Sequence, residues 1–116
     1  MNLVDIIIPP AGNGVAHRNA YFTTTISAVS ATALTIPTAG IIPESAGGLV
    51  MCIASTDCYV RFGLDVATVG AATTSDFPWP AGLALSFRIM LGQHGAAFSV
   101  IQKTAGGTFC RYFSEP

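Results

Sequence analysis

The side chains able to do chemistry in this chain are few, and their spacing decides how they are read. His17 and His94 are the natural general bases. A histidine base needs a nucleophile to deprotonate and a third group to orient its ring. The available acids are Asp5, Glu44, Asp57, Asp65, Asp76 and Glu115, and none stands in a recognisable catalytic frame with either ring. Carboxylates can converge from distant sequence, but "GQHG" around His94 reads best as a turn between strands, with the imidazole as its exposed polar group. The expectation is therefore a protein that is not an enzyme. Cys52, Cys58 and Cys110 form no Cys-x-x-Cys pair, and neither histidine sits at zinc-ligand spacing. No metal site is expected. If a two-residue turn at Ser55-Thr56 closed a hairpin, Cys52 and Cys58 would fall on opposite faces; an odd turn would be needed to make them meet. The three are expected to be small buried thiols, in a chain made in the cytoplasm of its host.

"AGNGVAH" invites comparison with a phosphate-binding glycine loop. His17 stands where the third glycine of G-x-G-x-x-G is needed, and no helical pattern follows. A Gly-Lys-Ser/Thr ending is also missing, so no nucleotide and no other cofactor is expected. The basic residues are Lys103, Arg18, Arg61, Arg88 and Arg111, scattered through a chain of net charge -1. Nucleic acid needs clustered cations, and this pattern excludes it. Apolar stretches such as "LVDIII" and "GGLVMCIA" fall far short of the roughly 20 residues a membrane-spanning helix needs, and the start of the chain lacks the basic, then long apolar, pattern of a secretory signal. Charged residues make up 9% of the chain, against roughly 25% in an average soluble domain. So little charge favours association, and assembly with copies of itself is the physical default.

The elements that must position these residues read as strands. Short runs rich in Val, Ile, Thr, Phe and Tyr recur between turn residues, without convincing helical periodicity, which is the pattern of an antiparallel β-sandwich. In "LALSFRIML", Leu83, Leu85, Phe87, Ile89 and Leu91 share one face, expected to lie in the core. In "CYVRF", Cys58, Val60 and Phe62 point in and Tyr59 and Arg61 out. "GLVMCIA" is apolar on both faces and belongs in the middle of a sheet or against a neighbouring subunit. "FSVIQKTAGGTFCRYF" reads as a hairpin turning at Gly106-Gly107. "AYFTTTIS" and "ATALTIP" are Thr-rich strands suited to a sheet with a solvated face. Ala-Gly recurs at Ala11-Gly12, Ala39-Gly40, Ala46-Gly47, Ala81-Gly82 and Ala105-Gly106 as turn punctuation. The first twenty residues differ: "LVDIII" precedes a loop-like "PPAGNGVAHRN". Residues 1–20 are read as an arm reaching onto a neighbour or as an edge strand, and residues 21–116 as the sandwich.

The sole tryptophan sits in "DFPWPAG", which reads as a loop. Prolines after Phe77 and Trp79 hold both residues extended, and the rings fix φ at Pro78 and Pro80. Such a loop loses little entropy when Trp79 is buried, as contact hot spots favour. The simpler reading is that Trp79 plugs one end of its own sandwich. Tyr21, Tyr59 and Trp79 together would make an aromatic platform for sugar, which is the alternative function. The residues expected to touch another subunit or a capsid are Ile6, Ile7, Ile8, Tyr59, Phe77 and Trp79.

The segment "CYVRFGLDVATVGAATTSDFPWPAGLALSFRI", followed by a short strand pair and a Gly-rich hairpin, resembles small structural proteins of tailed bacteriophages. The matching pieces are Tyr59 to Gly63, Ala71 to Asp76, Pro80 to Gly82, Ala97 to Ile101 and Gly106 to Thr108. The cysteines and the Pro-Trp-Pro insert depart from that pattern. The resemblance implies a virion β-sandwich, jelly-roll-like and of eight strands or so. It implies a capsid decoration (cement) protein bound to the major capsid protein, or a minor component of head, head fibre or tail, and it carries over no catalytic residue. A symmetric homo-oligomer, foremost a trimer, is the expected assembly.

Overall fold

The computed structural model describes residues 19–36, 48–89 and 95–114. They form strands β1 (Asn19–Ile26), β2 (Ala31–Leu34), β3 (Gly48–Ala54) and β4 (Cys58–Gly63), one helical turn α1 (Val66–Val69), then β5 (Phe77–Trp79), β6 (Ala84–Ile89), β7 (Ala97–Gln102) and β8 (Gly107–Ser114). The strands make two antiparallel four-stranded sheets, in the orders β1-β8-β3-β6 and β2-β7-β4-β5. The pairing is nested: β1 with β8, β2 with β7, β3 with β6 and β4 with β5. This is the result of rolling one long hairpin so that successive rungs fall alternately in the two sheets.

The alternation that builds this is visible strand by strand. In β4, Cys58 and Val60 are buried and Phe62 packs against the core, while Tyr59 and Arg61 are half-buried on the other face. Apolar on both faces, β3 lies between β8 and β6; Val50, Cys52 and Ala54 face the core, and Met51 is buried on the opposite side. β7 is buried along Ala97–Val100. It sits between β2 and β4, with α1 packed on its outer face. The core is aromatic: Phe109 meets Phe98 at 5.0 Å and Trp79 at 5.3 Å between ring centroids.

Four expectations change. β7 and β8 belong to different sheets, so the Gly-rich segment between them is a sheet-to-sheet crossing and not a hairpin turn. Neither Gly106 nor Gly107 has positive φ. They are small for another reason: a Cβ on Gly106 would lie 2.9 Å from the Ile26 carbonyl oxygen, and one on Gly107 2.6 Å from Ser55 Oγ. Gly82, by contrast, takes φ 82 and fulfils the turn expectation. β3 and β4 are likewise in opposite sheets, so the question of Cys52 facing Cys58 across a hairpin does not arise. "DFPWPAG" is not all loop, for Phe77–Trp79 is an edge strand pairing with Cys58–Val60; an edge is where a sheet tolerates Pro78. Finally, β6 is also an end strand, so of its inward row Leu83 and Phe87 are only partly buried and Leu85 is 38% exposed. His17, His94, Leu91 and the leader with Ile6, Ile7 and Ile8 lie outside the described residues.

Candidate interaction surface

Each described acid is engaged in holding a turn. Asp65 caps α1, its Oδ1 accepting from the Thr68 amide and hydroxyl, both at 2.9 Å. Asp57 Oδ1 accepts from the Ala81 amide at 2.8 Å and so ties the β3–β4 turn to the β5–β6 turn. Asp76 Oδ2 accepts from the Thr73 amide at 2.7 Å, and its Oδ1 takes Arg61 Nε at 3.0 Å. Burial pushes the Asp76 carboxyl up, but the Arg61 and Thr73 bonds outweigh it and hold the group below the usual carboxylate range. Among the described residues, no three of His, Cys, Asp or Glu gather as metal ligands.

The thiols of Cys52 and Cys58 are unreactive by environment. Burial pushes Cys52 up to about 12, against the pull of the Arg111 charge. Burial and then the Asp57 charge push Cys58 up to about 11. A nucleophilic cysteine needs the reverse. Both are free and buried, as the sequence suggests; Cys110 is free and half-buried on the outer face of β8. There its Sγ lies 3.5 Å from the Tyr21 hydroxyl. That bond, with burial second, raises the Tyr21 phenol above its ordinary value.

One charged group is buried that spacing alone leaves among the scattered arginines. Arg111 is 1% exposed and points between the sheets. Its guanidinium donates from Nε to the Thr35 carbonyl at 3.1 Å, and from Nη1 to Thr24 Oγ1 at 2.6 Å and the Phe109 carbonyl at 3.2 Å. It also stacks 4.8 Å above the Phe98 ring. Burial brings it down to about 10, so it stays a cation at neutral pH, satisfied by oxygens of β1, of β8 and of Leu34 and Thr35 at the end of β2. The signal existed: in "TFCRYF", Phe109, Arg111 and Phe113 alternate onto one face, and that face is the core.

The rings expected to form a sugar platform are not brought together. Tyr21 lies on the outer face of one sheet, stacked edge-on against Tyr112 at 4.6 Å. Tyr59 lies on the outer face of the other. Trp79 is 1% exposed and donates from Nε1 to the Leu83 carbonyl at 2.8 Å. It plugs its own sandwich, which is the simpler of its two readings, and cannot serve as a protruding anchor. Phe77, its neighbour on β5, is 51% exposed.

What the structure does assemble is a hollow on the side of the sandwich where the two end strands β5 and β6 meet. Its volume is about 390 Å³, and Val60, Phe62, Trp79, Phe77 and Leu85 line it, with the Arg61–Asp76 ion pair among them. Exposed apolar residues continue elsewhere, at Tyr21, Val29, Leu34, Leu49, Leu64 and Val66.

No protein-family model matches this chain, and no curated protein matches it. Among solved structures, a chain described by the words "Bacillus endospore appendages form a novel family of disulfide-linked pili" is similar at 12% identity over 86% of each chain, with a TM-score of 0.43. At that level it bears on neither function nor kinship.

Proposed function

We propose that this protein is a structural subunit that works by burying apolar surface against copies of itself and against a larger shell, in its finest form a decoration protein on a bacteriophage head. The nested pairing is read as a jelly roll. The observation that carries the proposal is the pair of exposed apolar side chains Phe77 and Leu85 lining one hollow, on a chain with 9% charged residues. Large apolar patches on a soluble surface mark contact sites, and burying them contributes roughly 25 cal/mol per Å² before ordering costs are subtracted. The major capsid protein and the trimer rest on the resemblance of Tyr59–Thr108 to phage structural proteins. In this reading the protein catalyses no reaction and binds no cofactor.

Light scattering on purified protein tests the first half: an oligomer is expected, and a single chain that stays monodisperse at high concentration would sink the reading. Co-sedimentation with bare phage heads tests the second. Saturable binding supports a decoration role, while an oligomer that ignores every head tried leaves a structural subunit of another assembly.

A further inference from the structure

A second, smaller cleft lies at the end of the β4–β5 pair, where the β3–β4 turn meets the end of β7. Its volume is about 90 Å³, and Asp57, Tyr59, Pro78, Pro80 and Lys103 wall it. The walls are held from several sides. Tyr59 lies directly opposite Pro78 on one neighbouring strand and Ile101 on the other. Pro80 begins the β5–β6 turn, where its carbonyl accepts the Leu83 amide at 3.1 Å. The Ala54 carbonyl holds the same turn through the Gly82 amide at 2.9 Å. Asp57 is fixed twice: its Oδ1 accepts from the Ala81 amide at 2.8 Å, and its carbonyl from the Lys103 amide at 3.1 Å. Walls built this way have little freedom to lose when a ligand binds.

Their chemistry is selective. Among the described residues Arg61–Asp76 is the one ion pair, so the Asp57 carboxylate and the Lys103 ammonium border one cleft without pairing with each other. An anion placed there meets Asp57 and a cation meets Lys103, so a net charge of either sign is opposed. A neutral group that both donates and accepts hydrogen bonds satisfies the two together, donating to the carboxylate and accepting from the ammonium. Hydroxyls do this. A zwitterion would gain only exposed ion pairs, which contribute little in water. Beside the charges, the Tyr59 ring and two proline rings offer apolar surface, and an aromatic face attracts C–H groups.

A pyranose meets both demands, with hydroxyls on its edge and C–H groups on a face. The cleft is far smaller than the roughly 300–1,000 Å³ of sites that enclose a drug-sized ligand, so it takes one ring and not a length of chain. We infer that it binds a single neutral sugar ring at the end of a glycan, with Tyr59 against the C–H face and Asp57 and Lys103 on the hydroxyls. This site is distinct from the three-ring platform, because Trp79 contributes no exposed ring and Tyr21 lies on the other sheet. It does not depend on the self-association proposed above. So open a site binds weakly, with Kd on the order of 1 mM.

The test is a titration of isotope-labelled full-length protein, followed by amide NMR shifts. The probes are the methyl glycosides of glucose, galactose, mannose and N-acetylglucosamine, each taken to about 50 mM so that a millimolar site saturates. At least one glycoside is expected to give saturable shifts at Asp57, Tyr59, Ala81 and Lys103. Tyr59→Phe keeps the ring and should keep the binding, while Tyr59→Ala should weaken it at least about tenfold. Lys103→Met, at an exposed position, should weaken it at least about threefold and reads the site even where Tyr59→Ala fails to fold. Silence from every glycoside overturns the inference. So do shifts that Lys103→Met leaves unchanged. Acetate, methylammonium and free proline are the charged and zwitterionic probes, and any of them binding more tightly than all four glycosides overturns it as well. A tri-proline peptide that shifts these amides where no sugar does would make the cleft a peptide site and have the same effect.

Discussion

Trp79 and Phe77 sit two residues apart on one short strand and do opposite things. The indole of Trp79 lies edge-on to Phe109 and near Phe62, with its N–H satisfied by Leu83. Removing it empties the end of the sandwich. Trp79→Ala is expected to lower unfolding free energy by about 3–5 kcal/mol, measured in denaturant on dilute protein. Phe77→Ala removes an exposed ring and should change that value by under about 1 kcal/mol, while weakening self-association in sedimentation. Equal effects in the two assays would contradict the division. Asp76 allows a prediction in pH. Its folded-state value is depressed, so its stabilisation is complete above the ordinary Asp value of about 3.9 and is lost as pH falls through the lower, folded value. Asp76→Asn should therefore cost a constant amount near neutrality, about 0.5–1 kcal/mol for a partly exposed pair. That gap should close in acid, once pH has fallen through the depressed folded value and wild-type Asp76 itself is protonated. A gap that persists in acid would assign the effect to packing.

At the scale of the element, the connection from β4 to β5 is the part of the fold that needs most explanation. It lies over the outer face of β7, where Ser99 donates to the Gly70 carbonyl and exchanges a 2.9 Å bond with Thr32. Ser30 Oγ, from the β1–β2 corner, accepts the Ala72 amide at 2.8 Å. The seat of α1 is Gly63: a Cβ there would stand 2.9 Å from both Cβ and Cγ2 of Val69. Gly63→Ala is thus expected to cost about 1–3 kcal/mol by overpacking. Val69→Ala, mild alone, should recover part of that loss in a double-mutant cycle measured by denaturant melts. Strictly additive losses would show that the two do not touch in solution. None of this covering layer was legible in the sequence, because "DVATVGAATTSD" has neither helical nor strand periodicity and its order comes from Asp65, Asp76, Ser99 on β7 and Ser30 at the β1–β2 corner. Strands with clean alternation were legible: β4 and β3 hold the faces and the central place their residues dictate. Sheet membership was not. A Gly-Gly turn between two apolar runs suits a hairpin and a sheet-to-sheet crossing equally, and the choice lies in long-range pairing, β7 with β2 and β8 with β1. Of the contact residues, Phe77 and Tyr59 keep accessible rings, and Trp79 went to the core because a pre-proline residue is as well suited to an edge strand as to a loop.

For the whole molecule, the nested winding and the scarcity of charge act on the same property. Because β1 pairs with β8 and β2 with β7, each sheet is held together by residues far apart in the chain, and Phe77 and Leu85, on end strands of opposite sheets, line one hollow. Among the described residues, nothing in one domain's own winding covers Phe77 or Leu85, so folding and association are expected to be linked. Binding that occurs only in the folded state adds to stability by mass action. The thermal midpoint should then climb with protein concentration, by about 4–8 °C for each kcal/mol of added stability in a domain near this size. Differential scanning calorimetry across a hundredfold range of concentration reads this directly. Leu85→Arg places a charge beside the hollow and should flatten the dependence while leaving the midpoint at the lowest concentration in place, because that side chain is already partly in water. A wild-type midpoint indifferent to concentration would mean that the domain is stable alone and that its apolar edge is covered by something other than another copy.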